Sequence, residues 1–338
     1  MDVNASPAVQ SRKEKVLRCL DVRNQTGVEI GPLDRPIVSR SEGNVLYMDH
    51  LDTENLKRKY AEHAVQGLVS VEKLVDVDLV ADGRKFAEIL GDRGPVDYVI
   101  ASHVIEHIPD PVGWLCDLAE GLTDGGLVSL VVPDRLFTFD HYRRPSNAGD
   151  LIDAFLQHRE MATPGQIFDY VANVAVVDPM TVWKGELLQR VPSPGHTPEQ
   201  ALNLARLRLS DNVAPDVHCS VFSANDFADV FRQIIALDLL PYEIAALEPT
   251  AFGEIEFFVT LRKSSASAKE RAATVPLDVP APALAEGTAS DPDRFSLVIP
   301  MRVPGWLRAM IPAPVKKALK GSLVHRSSSR RFPGARSS

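Results

Sequence analysis

The sequence predicts an α/β fold built on a mostly parallel, seven-stranded sheet. Three observations carry this expectation. Strands alternate with helices at short spacing from residue 26 to residue 134. The strand segments there are continuous apolar runs, as a sheet covered on both faces requires. Several of these runs finish on glycine or on a polar side chain, at the edge where open parallel sheets bind ligands.

The elements follow in order. Residues 1–25 form a polar lead-in with one short helix. Thr26 to Ile30 is a strand ending at Gly31-Pro32, and Asn44 to Met48 is a second ending at Asp49. Thr53 to His63 has helical character, with Thr53 as cap. Leu74 to Ala81 reads as a third strand ending at Asp82-Gly83, with a helix over Lys85 to Leu90. Val96 to Ala101 is the fourth strand. Pro111 to Leu122 is a helix with Asp110 as N-cap and Pro111 in its first position. A turn at Thr123 to Gly126 leads to the fifth strand, Leu127 to Val132, which ends at Pro133-Asp134.

Residues 135–217 interrupt the alternation and read as an insertion, with helical pieces at Ala148–Met161 and Pro198–Leu209. Regular pattern returns at Val217 to Phe222. Ser223 opens a helix to about Leu237, with Asp226 placed for a capping box. Tyr242 to Leu247 and Glu254 to Leu261 complete the seven strands. The folded domain is thus expected over 26–262. Residues 263–293, rich in Ala, Ser, Pro and acid, read as a disordered linker. Residues 294–338 form a basic tail, expected to be disordered.

Composition narrows the function. A hydrophobic content of 45% over 338 residues suits a soluble chain with a sizeable core. No apolar run approaches the roughly 18 residues of a membrane span. Met1 to Lys15 is polar and lacks the apolar core of a signal peptide. Three scattered cysteines, Cys19, Cys116 and Cys219, form no disulfide framework. A reducing, cytoplasmic setting is therefore expected. The net charge of −8 hides ten lysines and arginines and no acid after Asp293. The body is acidic, which argues against a nucleic-acid partner. In the tail, Trp306, Leu307, Met310 and Ile311 beside Lys316, Lys317 and Lys320 allow weak contact with an anionic membrane or a protein, or simple disorder. The oligomeric state is not legible.

The chemistry concentrates in Asp97-Tyr-Val-Ile-Ala-Ser-His103-Val-Ile-Glu106-His107-Ile-Pro109-Asp110-Pro111. As a string, His103-x-x-Glu106-His107 is an inverted zinc-peptidase pattern. A zinc helix must carry both histidines on one face, and Pro109 and Pro111 leave too little helix for that. Glu106 and His107 then hydrogen-bond the loop, with a catalytic role for His107 equally open; no metal is expected, and the zinc peptidase stays a remote alternative. Four strand ends carry a polar or glycine signal: Glu29-Ile-Gly31, Asp49, Asp82 and Ser102-His103. Such a set suits a nucleoside ligand, with glycine for close approach and an acid for the ribose hydroxyls. The first loop, Gly31-Pro32-Leu33-Asp34, is not GxGxxG, which argues against a dinucleotide pyrophosphate. S-adenosylmethionine carries no phosphate and relaxes that demand.

Gly27-Val-Glu-Ile-Gly31, Asp49, Val80-Ala-Asp82-Gly83, the Ser102 to Pro111 stretch and Gly125 to Asp134 occur in the order found in class I S-adenosylmethionine-dependent methyltransferases. The chain resembles their type 11 domain most closely, over about 25–134 and more loosely over 217–262. The resemblance implies a Rossmann-like fold and S-adenosyl-L-methionine as cofactor. Glu29, Gly31 and Pro32 would shape its loop, Asp49 would hold the ribose, and Asp82 and Gly83 would lie by the adenine. Ser102 and His103 would lie by the methionine moiety and the transferring methyl. Pro32-Leu33-Asp34 stands in place of the second and third glycines usual in the family.

Methyl transfer to a hydroxyl also needs a base. The candidates are His103, Asp134, His141 and His218. Tyr142, Arg143 and Arg144, just past the fifth strand, are candidate acceptor-binding residues, suited to a carboxylate, phosphate or acidic sugar. Family-level association points to O-methylation of a sugar or other small polar acceptor in cell-surface polysaccharide synthesis. A non-catalytic accessory module of the same fold is the alternative.

Overall fold

The computed structural model describes residues 10–61, 69–186, 190–193, 196–210 and 215–280. The expected tail and the linker beyond residue 280 lie outside the described residues.

Helix α1 (Arg12–Val16) opens the described chain under a capping box made by Ser11 and Glu14. Strands β1 (Thr26–Ile30) and β2 (Asn44–Asp49), helix α2 (Thr53–Ala61), strand β3 (Leu79–Val80) and helix α3 (Phe86–Leu90) follow. Next come β4 (Val96–Ser102), α4 (Pro111–Gly121) and β5 (Leu122–Pro133). The insertion holds α5 (Ala148–Leu156), α6 (Pro164–Asn173), β6 (Ala175–Val176), α7 (Pro179–Trp183), β7 (Val191–Pro192) and α8 (Pro198–Ser210). Helix α9 (Ala224–Ala236), strands β8 (Tyr242–Glu248) and β9 (Glu256–Lys263), and helix α10 (Ala268–Ala273) complete it.

The sheet has seven strands in the order β3-β2-β1-β4-β5-β9-β8. From β3 to β5 every pairing is parallel, and β9 runs antiparallel to both β5 and β8. The predicted mostly parallel, seven-stranded architecture is therefore what forms. β1 pairs with both β2 and β4, so the chain reverses its direction of travel across the sheet there. Ligands enter such sheets at this switch point.

One sheet face buries Val28, Val99, Val128 and Phe257 against α3, α4, α9 and α10. Helix α9 shows why it docks. Phe227, Val230, Phe231, Ile234 and Ile235 fall on one stripe and are all buried. Each contributes about 1.5–3 kcal/mol of burial free energy before conformational entropy is counted. The opposite sheet face buries Tyr47, Tyr98, Ile100 and Phe258 beneath Val16, Ile37 and Val38. Gly27 is obligatory in that layer, because a Cβ there would lie 2.1 Å from the Tyr98 ring.

Several local expectations need correction. The third strand shrinks from Leu74–Ala81 to Leu79–Val80. The preceding residues take other partners: Val75 N donates to Leu33 O, and the Asp78 carboxylate accepts from Tyr47 N and Arg40. The helix expected over Ala148–Met161 stops at Leu156, and a new helix, α6, starts under a Thr163–Gln166 capping box. Where regular pattern is expected to return, at Val217–Phe222, the β pairing among the described residues is one bridge from Phe222 to Asp134. The segment expected to begin a disordered linker instead folds α10, and Val275 and Val279 are buried in the core.

Candidate functional site

The site assembles at the carboxyl ends of β1, β2 and β4. Glu29, near the end of β1, is buried, and its carboxylate accepts hydrogen bonds from Ile37 N (2.7 Å) and Val38 N (3.1 Å). That closes the loop from Gly31 to Pro36 upon itself. Burial pushes the Glu29 carboxyl up, against the pull of those two N–H groups. Gly31 has φ +68°, and a Cβ there would meet only Val104 Cγ2, at 3.7 Å. The loops after β1 and β4 therefore approach each other at the switch point. Pro32 lies on the same loop, and Leu33 next to it also has a left-handed φ, +49°. Two left-handed positions let this loop turn without the second and third glycines.

Asp49 ends β2 and is buried. Its Oδ1 accepts from His50 N (2.7 Å) and lies 2.5 Å from His50 Nδ1, while no described donor reaches Oδ2. Asp82 is exposed in the turn after β3 and pairs with Arg84. Gly83 beside it has φ +90°.

The end of β4 carries a connected polar chain. Ser102 Oγ accepts from Arg12 Nη2 (2.7 Å), and Arg12 Nε donates to Glu256 Oε1 (2.5 Å). His103 has φ +55°, and its Nε2 lies 2.7 Å from Glu256 Oε2. Burial disfavours charge on His103. The Glu256 hydrogen bond and the Glu106 and Glu256 charges outweigh it, so the imidazole titrates above its usual value. Burial likewise opposes the Glu256 carboxylate, yet His103 and Arg12 hold it at about 2.

Glu106 follows on a single turn of 3-10 helix, Ile105–His107. No zinc-peptidase helix forms here; the chain bends at His103 and again before Pro109. Glu106 is 1% exposed, and neither carboxylate oxygen has a hydrogen-bond partner. Its Oε1 lies 3.6 Å from His103 Nδ1 and 3.9 Å from His107 Nε2. The return from the insertion crosses this turn, with Cys219 N and Ser220 N both donating to Glu106 O. That crossing sets His218 edge-on to His107, with ring centroids 4.7 Å apart. His107 Nδ1 lies 2.6 Å from Asp216 Oδ1, and His218 Nδ1 lies 2.5 Å from Asp140 Oδ2.

The remaining sequence candidates are placed as follows. Asp134 is buried as a cap: Oδ1 accepts from Leu136 N and Oδ2 from Thr250 Oγ1. Burial raises its carboxyl. His141 Nδ1 donates to Leu136 O (2.6 Å), and Tyr142 packs edge-on to it beneath the Arg190 guanidinium. Arg143 departs from the expected acceptor-binding role. It is 3% exposed and donates to Asp140, Asp169 and the His218 carbonyl, so it buttresses the histidine cluster from inside. Arg144 is exposed and paired with Asp150.

Sequence reasoning missed four members of this network: Arg12, Glu256, Asp140 and Asp216. Glu256 left a trace, as an acid inside an apolar strand. Arg12 left none, since the lead-in gave no sign of folding onto the sheet edge. It also read Glu106 and His107 as loop residues, whereas with His218 they form a group whose ligand atoms lie within 4.8 Å of one another.

The residues at these strand ends suit S-adenosyl-L-methionine in their chemistry. Gly31 leaves room at the loop, Asp49 offers Oδ2, and Ser102 and His103 stand at the switch point. A family model described as "Methyltransferase domain" matches residues 22–234. Among curated proteins none is similar to the chain at a significant level. Solved structures with similarity include the CurJ carbon methyltransferase, at 10% identity and TM-score 0.35, covering 74% of this chain and 51% of that one. A Zn-dependent alcohol dehydrogenase from Rhodobacter sphaeroides has 11% identity, TM-score 0.40, and coverage of 76% and 91%. The magnesium protoporphyrin IX methyltransferase from Synechocystis PCC 6803, with bound SAH, has 11% identity, TM-score 0.34, and coverage of 75% and 80%.

Proposed function

The chain belongs to the methyltransferase domain family, with S-adenosyl-L-methionine as its expected cofactor, and from that premise we propose that it methylates an oxygen atom of a small polar acceptor. A sugar hydroxyl is the acceptor class we favour, within the synthesis of a surface polysaccharide in the cytoplasm.

The observation that carries the oxygen reading is the buried Glu106 carboxylate, without a hydrogen bond and between His103 and His107, on the turn that leaves β4. A hydroxyl acceptor must lose a proton as it attacks, and this is the polar cluster beside the cleft. When bound, S-adenosyl-L-methionine supplies an electrophilic methyl carbon on a sulfonium centre. In this reading Glu29 fixes the loop that shapes the cleft, and Asp49 Oδ2 accepts from the ribose hydroxyls. Asp82 and Gly83 lie toward the adenine, and Ser102 and His103 toward the methionine end. Glu256 favours the charged form of His103 and holds the ring in place, Arg12 braces Glu256, and α1 covers that edge. Glu106, His107 and His218 receive the acceptor hydroxyl. Arg143 and Asp140 fix the ring of His218.

Isothermal titration with S-adenosylmethionine and S-adenosylhomocysteine tests the donor half. A folded protein that binds neither would instead be a non-catalytic module of this fold. Transfer of a labelled methyl group to a panel of monosaccharide glycosides tests the acceptor half. Labelling of amine or carbon acceptors alone would overturn the oxygen reading.

A further inference from the structure

We propose that Glu106, His107 and His218 form a binding site for a divalent transition-metal ion at the acceptor side of the cleft. The proposal deepens the methyl-transfer reading, and the role given to the ion rests on it; the site itself does not.

Three observations converge. The first is Glu106. A carboxylate that is 1% exposed with neither oxygen hydrogen-bonded is costly to bury. A cation between its neighbours removes that cost. The second is reach. One ligand atom each from Glu106, His107 and His218 lies within 4.8 Å of the others. Metal bonds of about 2.0–2.2 Å require ligand atoms roughly 3–3.5 Å apart. Rotamer adjustments of about an ångström close the gap.

The third is the outer shell. Metal-binding histidines characteristically donate their second ring nitrogen to a carboxylate, which fixes the tautomer and aims the first nitrogen at the ion. Both histidines do this: His107 Nδ1 at Asp216 (2.6 Å) and His218 Nδ1 at Asp140 (2.5 Å). His107 Nε2 faces Glu106, 3.9 Å from its Oε1. Asp140 is itself held by the buried Arg143. Asp216 lies 109 residues from His107 and Asp140 lies 78 residues from His218, so only the folded chain supplies this shell.

Two imidazoles and one carboxylate suit Mn²⁺, Fe²⁺, Co²⁺ or Zn²⁺ better than Mg²⁺ or Ca²⁺. Three protein ligands also leave positions open to an acceptor oxygen. There the cation favours loss of the hydroxyl proton to solvent. The O–C bond to the methyl then forms as the C–S bond breaks, and the sulfur leaves as a neutral thioether.

The test is a Co²⁺ titration of chelator-treated, full-length protein, followed by visible absorption and metal analysis, with S-adenosylmethionine binding measured on the same samples. One equivalent of Co²⁺ with ligand-field bands is expected. Glu106→Gln and His218→Ala should abolish the bands, and Asp140→Asn should weaken Co²⁺ binding about 10–100-fold. Thermal melts check that each variant folds, and the wild-type titration stands without them. A folded wild-type chain that takes up no Co²⁺ overturns the site; Glu106 is then compensated by charge on His103 and His107. Co²⁺ uptake unchanged in folded Glu106→Gln also overturns it. Metal uptake without S-adenosylmethionine binding would keep the site and refute the methyl-transfer reading instead.

Discussion

His103 Nε2 lies 2.7 Å from Glu256 Oε2, joining the end of β4 to the start of β9 across 153 positions of sequence. Because β9 runs antiparallel to β5, its first residue stands at the carboxyl edge of the parallel strands. Arg12 closes the arrangement from a third element.

This pair should set a pH window. Glu256 is held at about 2 against an ordinary 4.5, so its stabilisation is complete above pH 4.5 and is lost as pH falls toward 2. His103 is raised above 6.5, so its stabilisation is complete below 6.5 and is lost as pH rises through its folded value. Thermal melts of wild type and Glu256→Gln across pH should differ most between 4.5 and 6.5. The curves should converge as pH falls toward 2, and narrow without closing at high pH, where Arg12 still pairs with Glu256.

Asp49→Ala should weaken S-adenosylmethionine binding with little change in melting temperature. Hydrogen bonds to a charged group contribute about 1.5–3 kcal/mol, so calorimetry should show a loss of roughly tenfold to more than a hundredfold. An unchanged affinity would refute the ribose assignment.

Gly27→Ala should destabilise the fold without entering the cleft. The added Cβ would lie 2.1 Å from the Tyr98 ring, which is fully buried and has no room to yield. Overpacking of this kind costs about 1–3 kcal/mol, read as a lower urea midpoint at an unchanged slope. Donor affinity of the folded protein should be retained.

Arg143 and Arg144 are adjacent in sequence but should behave oppositely. Removing Arg143 leaves the buried Asp140 carboxylate with His218 alone and should cost up to about 3–5 kcal/mol by urea unfolding. Arg144 is 71% exposed, and its pair with Asp150 should contribute less than about 1 kcal/mol. Equal effects would contradict the buried network.

Local sequence determined the frame. The apolar runs Val96–Ala101 and Leu127–Val132, the Asp110-Pro111 helix start and the Ser223–Asp226 capping box each encode their element within a few residues. Period, cap and turn chemistry act over that distance, so these elements, their order and the parallel sheet were legible. The Gly31, Asp49 and His103 strand ends were legible for the same reason. What only the tertiary structure decided is which polar groups meet. Glu256 reaches His103 because β9 inserts antiparallel beside β5, and His218 reaches His107 because the insertion returns across the Glu106 carbonyl. Arg143 looked like a surface cation until Asp140, Asp169 and the His218 carbonyl enclosed it. Those contacts depend on long-range chain closure, which no local periodicity records.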